Sequence, residues 1–177
     1  MSRPATKQQH QQPIMDPKAM ELTKPGQEHQ ELAKLAGTWD VSCAFWMDPD
    51  APPIRSTGTC TYHTVFDGRF LEGEFTGDLG GQPFAGRSIM GYDRPAKRYF
   101  SSWYDSMATG FTCLTGTSSD GGRTITYTGE TTCHTDERPR SVRQVESHPS
   151  DDRCTITMFQ TLDGQESKTM ELEYRRH

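Results

Sequence analysis

The 177-residue sequence predicts an all-β fold, a closed antiparallel up-and-down barrel of about ten strands with one short N-terminal helix. Three observations predict it. From Thr38 onward apolar and polar residues alternate with a period of two. Strand-like runs recur roughly every 10 to 12 residues between turn residues, as in barrels and sandwiches. No helix-length pattern interrupts the series, so the connections are too short for parallel pairing. A twisted meander of this length curls and closes, which removes its exposed edges.

Residues 1–25 are rich in Gln, Pro and Lys without periodicity and are expected to be a disordered tail, leaving 26–177 as the barrel domain. Over Gln27–Ala36, Leu32, Leu35 and Ala36 share one helical face, and Gly37 follows as a stop signal. The strand runs are Trp39–Met47, Arg55–Phe66, Arg69–Asp78, Pro83–Asp93 and Lys97–Tyr104. They continue with Ala108–Thr117, Arg123–Thr132, Arg138–His148, Arg153–Thr161 and Ser167–Arg176. Asp67-Gly68 and Asp163-Gly164 are tight-hairpin signals, because Asp-Gly suits the positive dihedrals of a type I′ turn.

Alternation assigns the inward face. Cys60, Tyr62 and Phe66 face in on the second run, Ile125 and Tyr127 on the seventh, Cys154, Ile156 and Met158 on the ninth, and Met170, Leu172 and Tyr174 on the tenth. The fifth run, Tyr99 to Tyr104, carries large residues on both faces. Its outward aromatics are expected under the helix or in a partner interface.

Composition narrows the function classes. A net charge of −5 with interspersed signs lacks the basic footprint of a nucleic-acid binder. Only 32% of residues are hydrophobic, which implies a small or partly polar interior. No apolar run approaches the roughly 20 residues of a membrane-spanning helix, and the first residues lack the apolar core of a secretory signal. A cytoplasmic location without membrane insertion is the default expectation. The cysteines at 43, 60, 113, 133 and 154 form no Cys-x-x-Cys pair. Four of them are expected on the inward face as buried, reduced thiols.

Leu35-Ala36-Gly37-Thr38-Trp39 places a Gly-x-Trp after a short helix at the start of the first strand. This resembles the opening of lipocalin-type barrels, where the Trp plugs one end beneath a basic residue of the last strand; Arg175 or Arg176 would supply it. A wider resemblance covers roughly residues 27 to 175. It includes His29–Trp39, Phe45-Trp46-Met47-Asp48-Pro49 with Ala51-Pro52-Pro53, and Gly68-Arg69-Phe70-Leu71. Gly80–Phe84, Gly91-Tyr92-Asp93, Trp103–Met107 and Lys168–Glu171 extend it. Together these are similar to the lipocalin-like family known as domain of unknown function 1579, a calycin-type β-barrel family. The resemblance implies the barrel and supplies no activity. Asp40-Val41 after Trp39 departs from the glycine-richer opening of heme-binding barrels, so heme is not expected.

The leading functional expectation is a small-molecule binding barrel, since barrels of this size hold one ligand. The expected lining is Tyr62, Met90, Tyr92, Trp103, Asp105 and Met158, with Arg143 as an inward polar anchor because it shares parity with Val145. Asp105 has an alternative role as a turn starter, and Arg69 is read either as a bidentate contact for an acidic ligand or as a partner of Glu72 or Glu74. An enzyme acting by proton transfer, of isomerase or lyase type, would draw on Glu72, Glu74 or Asp105. A structural or interaction module, a homo-oligomer included, is suggested by the strand-five aromatics and Trp46. Cys133-His134 is the one adjacent soft-ligand pair, with His63 or His148 as further candidates; the missing ligands lead us to expect no metal and no cofactor. There is no Gly-x-Ser-x-Gly elbow and no phosphate-binding glycine pattern, so catalytic residues stay unassigned. The Pro-rich segment Met47–Pro53 is expected as a lid or a rigid connector.

Overall fold

The computed structural model describes residues 16–133 and 136–177. Two short helices, α1 (Pro17–Leu22) and α2 (Gln27–Ala33), precede ten strands. These are β1 (Gly37–Phe45), β2 (Ile54–Val65), β3 (Phe70–Leu79), β4 (Gln82–Asp93) and β5 (Arg98–Asp105), followed by β6 (Thr112–Thr117), β7 (Thr124–Thr132), β8 (Pro139–Ser150), β9 (Arg153–Leu162) and β10 (Gln165–Arg176). Each strand pairs antiparallel with its chain neighbours, and β1 pairs with β10 from Trp39↔Arg176 to Phe45↔Met170, which closes the barrel. Among the described residues no helix is long and apolar enough to cross a membrane.

The hairpins follow the turn residues. Gly80 and Gly81, and Asp163 and Gly164, have positive φ in two-residue loops, as type I′ turns require. The β2–β3 connection differs from expectation. Phe66 and Asp67 both adopt left-handed conformations ahead of Gly68, giving a four-residue loop that leaves Phe66 exposed instead of inward. Strand β6 begins at Thr112, not at Ala108, because its ladder with β5 starts at Trp103↔Thr112.

The interior is filled from alternate positions. Trp39, Val41, Cys60, Tyr62, Leu71, Phe75, Met90, Tyr99, Leu114, Ile125, Tyr127, Cys154 and Tyr174 are buried in one cluster. Inward glycines make room for the rings. A Cβ at Gly73 would lie 2.5 Å from the Tyr62 ring, and one at Gly116 would lie 2.7 Å from the Tyr127 ring. Of the cysteines, Cys43, Cys60 and Cys154 are buried, while Cys113 is exposed and Cys133 half-buried, so three thiols rather than four fill the interior.

One end is plugged. Trp39 is 1% exposed, and its indole N–H donates to the Leu35 carbonyl at 2.8 Å. The Arg176 guanidinium lies 4.3 Å over the Trp39 ring and donates to the carbonyls of Lys34, Ala36 and Asp151. Helix α2 caps the same end with Leu32 buried, and the buried His29 Nδ1 accepts from the Gly26 N–H at 3.0 Å. Residues 17–22, within the segment expected to be disordered, form α1; residues 1–15 lie outside the described residues. This helix buries nothing. Arg69 donates to the Thr23 carbonyl, and Arg94 to those of Glu21 and Lys24. Arg69 thus holds backbone, not Glu72 or Glu74. At the far end the inward Phe84, Trp103, Met158 and Leu172 are only half-buried, so water reaches that mouth.

Candidate functional site

The expected lining residues do not converge. Tyr62 and Met90 are buried inside the barrel, Tyr62 in register with Gly37 at the start of β1. Tyr92 lies at the capped end, edge-on to Tyr99 at 4.9 Å and to His29 at 6.1 Å. Trp103 belongs to the opposite mouth, stacked on Phe84 at 6.4 Å. Its indole N–H donates to Asp105 Oδ2 at 2.9 Å, and the Met107 N–H donates to Oδ1, so both Asp105 oxygens serve the strand end and its turn. Met158 is half-buried, in register with Gln144 and Met170.

Arg143 requires a correction. It faces outward, lying 3.9 Å over the Phe159 ring and bonded to both oxygens of Glu166 at 2.9 and 2.7 Å. The inward positions of β8 are Arg140, Val142, Gln144 and Glu146, all buried. An outward Arg keeps its charge in solvent beside an acid, which avoids the cost of an unpaired buried charge. Arg140 points in at the open mouth and is held by Asp136 Oδ2 at 2.6 Å. Glu72 and Glu74 are also on the outer face, half-exposed beside His63 and Arg87. Their neighbours Leu71, Gly73 and Phe75 take the inward positions.

What the barrel does gather is a polar cluster near its capped end. Glu146, on β8, has a side chain 1% exposed. Its Oε1 lies 3.0 Å from His148 Nε2. Cys154 of β9 joins them, with one ligand-type atom from each of the three lying within 4.8 Å of the others. Among the described residues Tyr127 Oη, Glu146 Oε2 and His148 Nδ1 are buried without a hydrogen-bond partner. Such orphans are rare because each costs about 1–3 kcal/mol in lost solvation. Burial first, then the nearby Glu146 carboxyl, pushes the Tyr127 phenol and the Cys154 thiol well above their ordinary values. Burial likewise raises Tyr62 and Tyr174, which face each other at 6.3 Å. Cys154 is therefore held as a thiol, which removes it as a ready nucleophile in this state.

The cluster touches the outside through His148. A cleft of about 200 Å³ lies between α2 and the β6–β7 and β8–β9 connections. Glu31, Lys34, Arg123 and Asp151 supply its charged walls, while Leu32, Leu35, Tyr99 and Ile125 supply the apolar ones. His148 is also in its wall, and none of the seven expected ligand contacts is. His148 follows Glu146 by two residues and so shares its face of β8, and its backbone N–H donates to the Arg123 carbonyl at 2.8 Å, continuing the pairing with β7 just before the β8–β9 register shifts between Ser147 and Ser150. The alternation Val142, Gln144, Glu146, His148 carried the missing signal. Taking Val142 instead of Val145 as the inward marker would have placed Glu146 in the interior.

The family model described as "Protein of unknown function (DUF1579)" matches residues 24–176. No curated protein matches the chain. Among solved structures, one described as a redesigned beta barrel is similar at 13% identity and a TM-score of 0.42, covering 81% of this chain and 92% of that one.

Proposed function

The chain belongs to the family described as Protein of unknown function (DUF1579), and because that description assigns no activity, we propose from geometry that the protein binds one compact, partly hydrophobic molecule in the cleft beside α2. The observation that carries this reading is the mixed lining of the cleft, apolar around Leu35, Tyr99 and Ile125 and polar at His148. Binding sites combine those two features, the apolar wall giving affinity and a few polar groups fixing orientation. At about 200 Å³ the space is below the roughly 300–1,000 Å³ of drug-sized sites, so the occupant is compact, on the order of a single ring. The proposed site is thus a cleft at the capped end instead of the barrel interior.

The proton-transfer alternative rests on Glu146 and His148 in place of Glu72 and Glu74, since that carboxyl–imidazole pair adjoins the same cleft. A cytoplasmic setting belongs to this proposal too, supported by the free thiols of Cys43, Cys60, Cys113 and Cys154.

The test is an amide chemical-shift screen of the full chain against single-ring compounds that carry one hydrogen-bonding group. Shifts at Leu35, Gly122, Arg123 and His148, lost when Ser150→Trp crowds the cleft wall, are the expected result. Shifts confined to Phe84 and Trp103 at the open mouth would overturn the assignment.

A further inference from the structure

We propose that Glu146, His148 and Cys154 form a binding site for a zinc-class divalent metal ion, a function beyond small-molecule binding and independent of it. Carboxylate, imidazole and thiolate are the donor set of borderline-soft dications. The three come from adjacent strands: Glu146 pairs with Ile156, two residues along β9 from Cys154, and His148 lies two residues after Glu146 on the same face of β8. Their candidate ligand atoms lie within 4.8 Å of one another, and Glu146 Oε1 and His148 Nε2 are already 3.0 Å apart. Ligand atoms around one tetrahedral zinc stand roughly 3.3–3.8 Å apart, given the usual metal–ligand lengths. The widest pair, at no more than 4.8 Å, therefore needs to close by at most about 1.5 Å to sit around one ion.

Two further observations point to a ligand here. Glu146 is almost wholly buried, yet among the described residues its Oε2 has no partner, and Tyr127 Oη beside it has none either. The Glu146 carboxylate has the His148 ring against one oxygen only, whereas a dication matches the two negative charges of the carboxylate and a thiolate. Access is present as well, because His148 is 15% exposed and lines the cleft. Three protein ligands leave a fourth position for water, for Tyr127 or for the occupant of the cleft. On binding, the Cys154 S–H bond breaks, the sulfur bonds the metal, and the proton passes to solvent. No electrons are transferred, and one proton is released per ion.

The test is titration of the metal-free, reduced full chain with Co²⁺ alone. One equivalent is expected to bind, giving a thiolate-to-cobalt charge-transfer band and intense four-coordinate d–d bands that stoichiometric Zn²⁺ erases. Cys154→Ser should abolish the charge-transfer band, while Cys113→Ser and Cys133→Ser leave it unchanged. Glu146→Gln should retain the band but weaken affinity by more than the roughly 10- to 100-fold that loss of an outer hydrogen-bonding partner costs. If that buried substitution prevents folding, His148→Ala at the cleft wall should produce the same loss. A spectrum without a charge-transfer band, or a band that survives Cys154→Ser, overturns the proposal.

Discussion

Gly86 pairs with Asp105 across the β4–β5 ladder, and the Trp103 ring lies over it, close enough that any Cβ there would overlap the indole. The ring is held through its indole N–H by Asp105 and stacked on Phe84, so it has little freedom to withdraw. Gly86→Val should therefore destabilise the fold by about 1–3 kcal/mol, the usual cost of overpacking. Urea unfolding followed by tryptophan fluorescence measures it; an unchanged midpoint would mean that the mouth accommodates the side chain freely. The same spacing logic explains why Tyr62 and Tyr127 could be placed from alternation. Each lies opposite a glycine, and a large residue opposite a small one marks an inward position. Phe66 escaped that logic because its left-handed backbone, at φ 51°, takes it out of the strand.

At the scale of the element, β8 decides how much of the site was readable. Its inward residues are Arg140, Gln144 and Glu146, three polar groups around Val142, so hydrophobicity gives no alternation to follow. The half-buried Val145 then looks as inward as Val142 does. Strands β7 and β9 had no such ambiguity, since Ile125 and Tyr127, or Cys154 and Ile156, face threonines. Helix α1 was unreadable for another reason, being held by Arg69 and Arg94 through backbone carbonyls without an apolar face.

The start of β8 also carries a pH dependence. The Arg140 guanidinium, and then the Arg138 N–H, hold the Asp136 carboxyl down at about 2 against an ordinary value of 3.8. A depressed folded-state value gives stability that is present above the ordinary value and drains away as pH falls towards the folded one. Carboxyl NMR should show Asp136 titrating near 2, and Asp136→Asn should flatten the loss of stability between about pH 4 and 2. A titration near 3.8 would show that the Arg140 contact is not held in solution.

For the whole molecule, stability depends on one seam. Strand β1 bonds β10, and Arg176 locks the junction from above Trp39. Arg176→Ala removes charged donors from three carbonyls together with the ring contact, and should cost about 2–4 kcal/mol, counting partial solvent replacement. Denaturant unfolding reads the loss; a change below about 0.5 kcal/mol, the range of ordinary surface substitutions, would reduce Arg176 to a surface ornament of the plug. Fold class and closure were legible because short turns join the ten strands as antiparallel neighbours and a twisted sheet of that length tends to curl and close. The site was not, because it is built from polar residues that any β-sheet would also place on its surface.

The same seam joins residues 140 positions apart in the chain. On the ribosome, β1 therefore emerges long before its partner exists, and waits with one unpaired edge while β2 to β9 are added to the other. Such long-range pairing is slow to form, and open edges recruit foreign strands. The growing chain stays an open sheet until its last strand is released, so a stall or truncation within β10 exposes two adhesive edges at once and leaves the plug over Trp39 unmade.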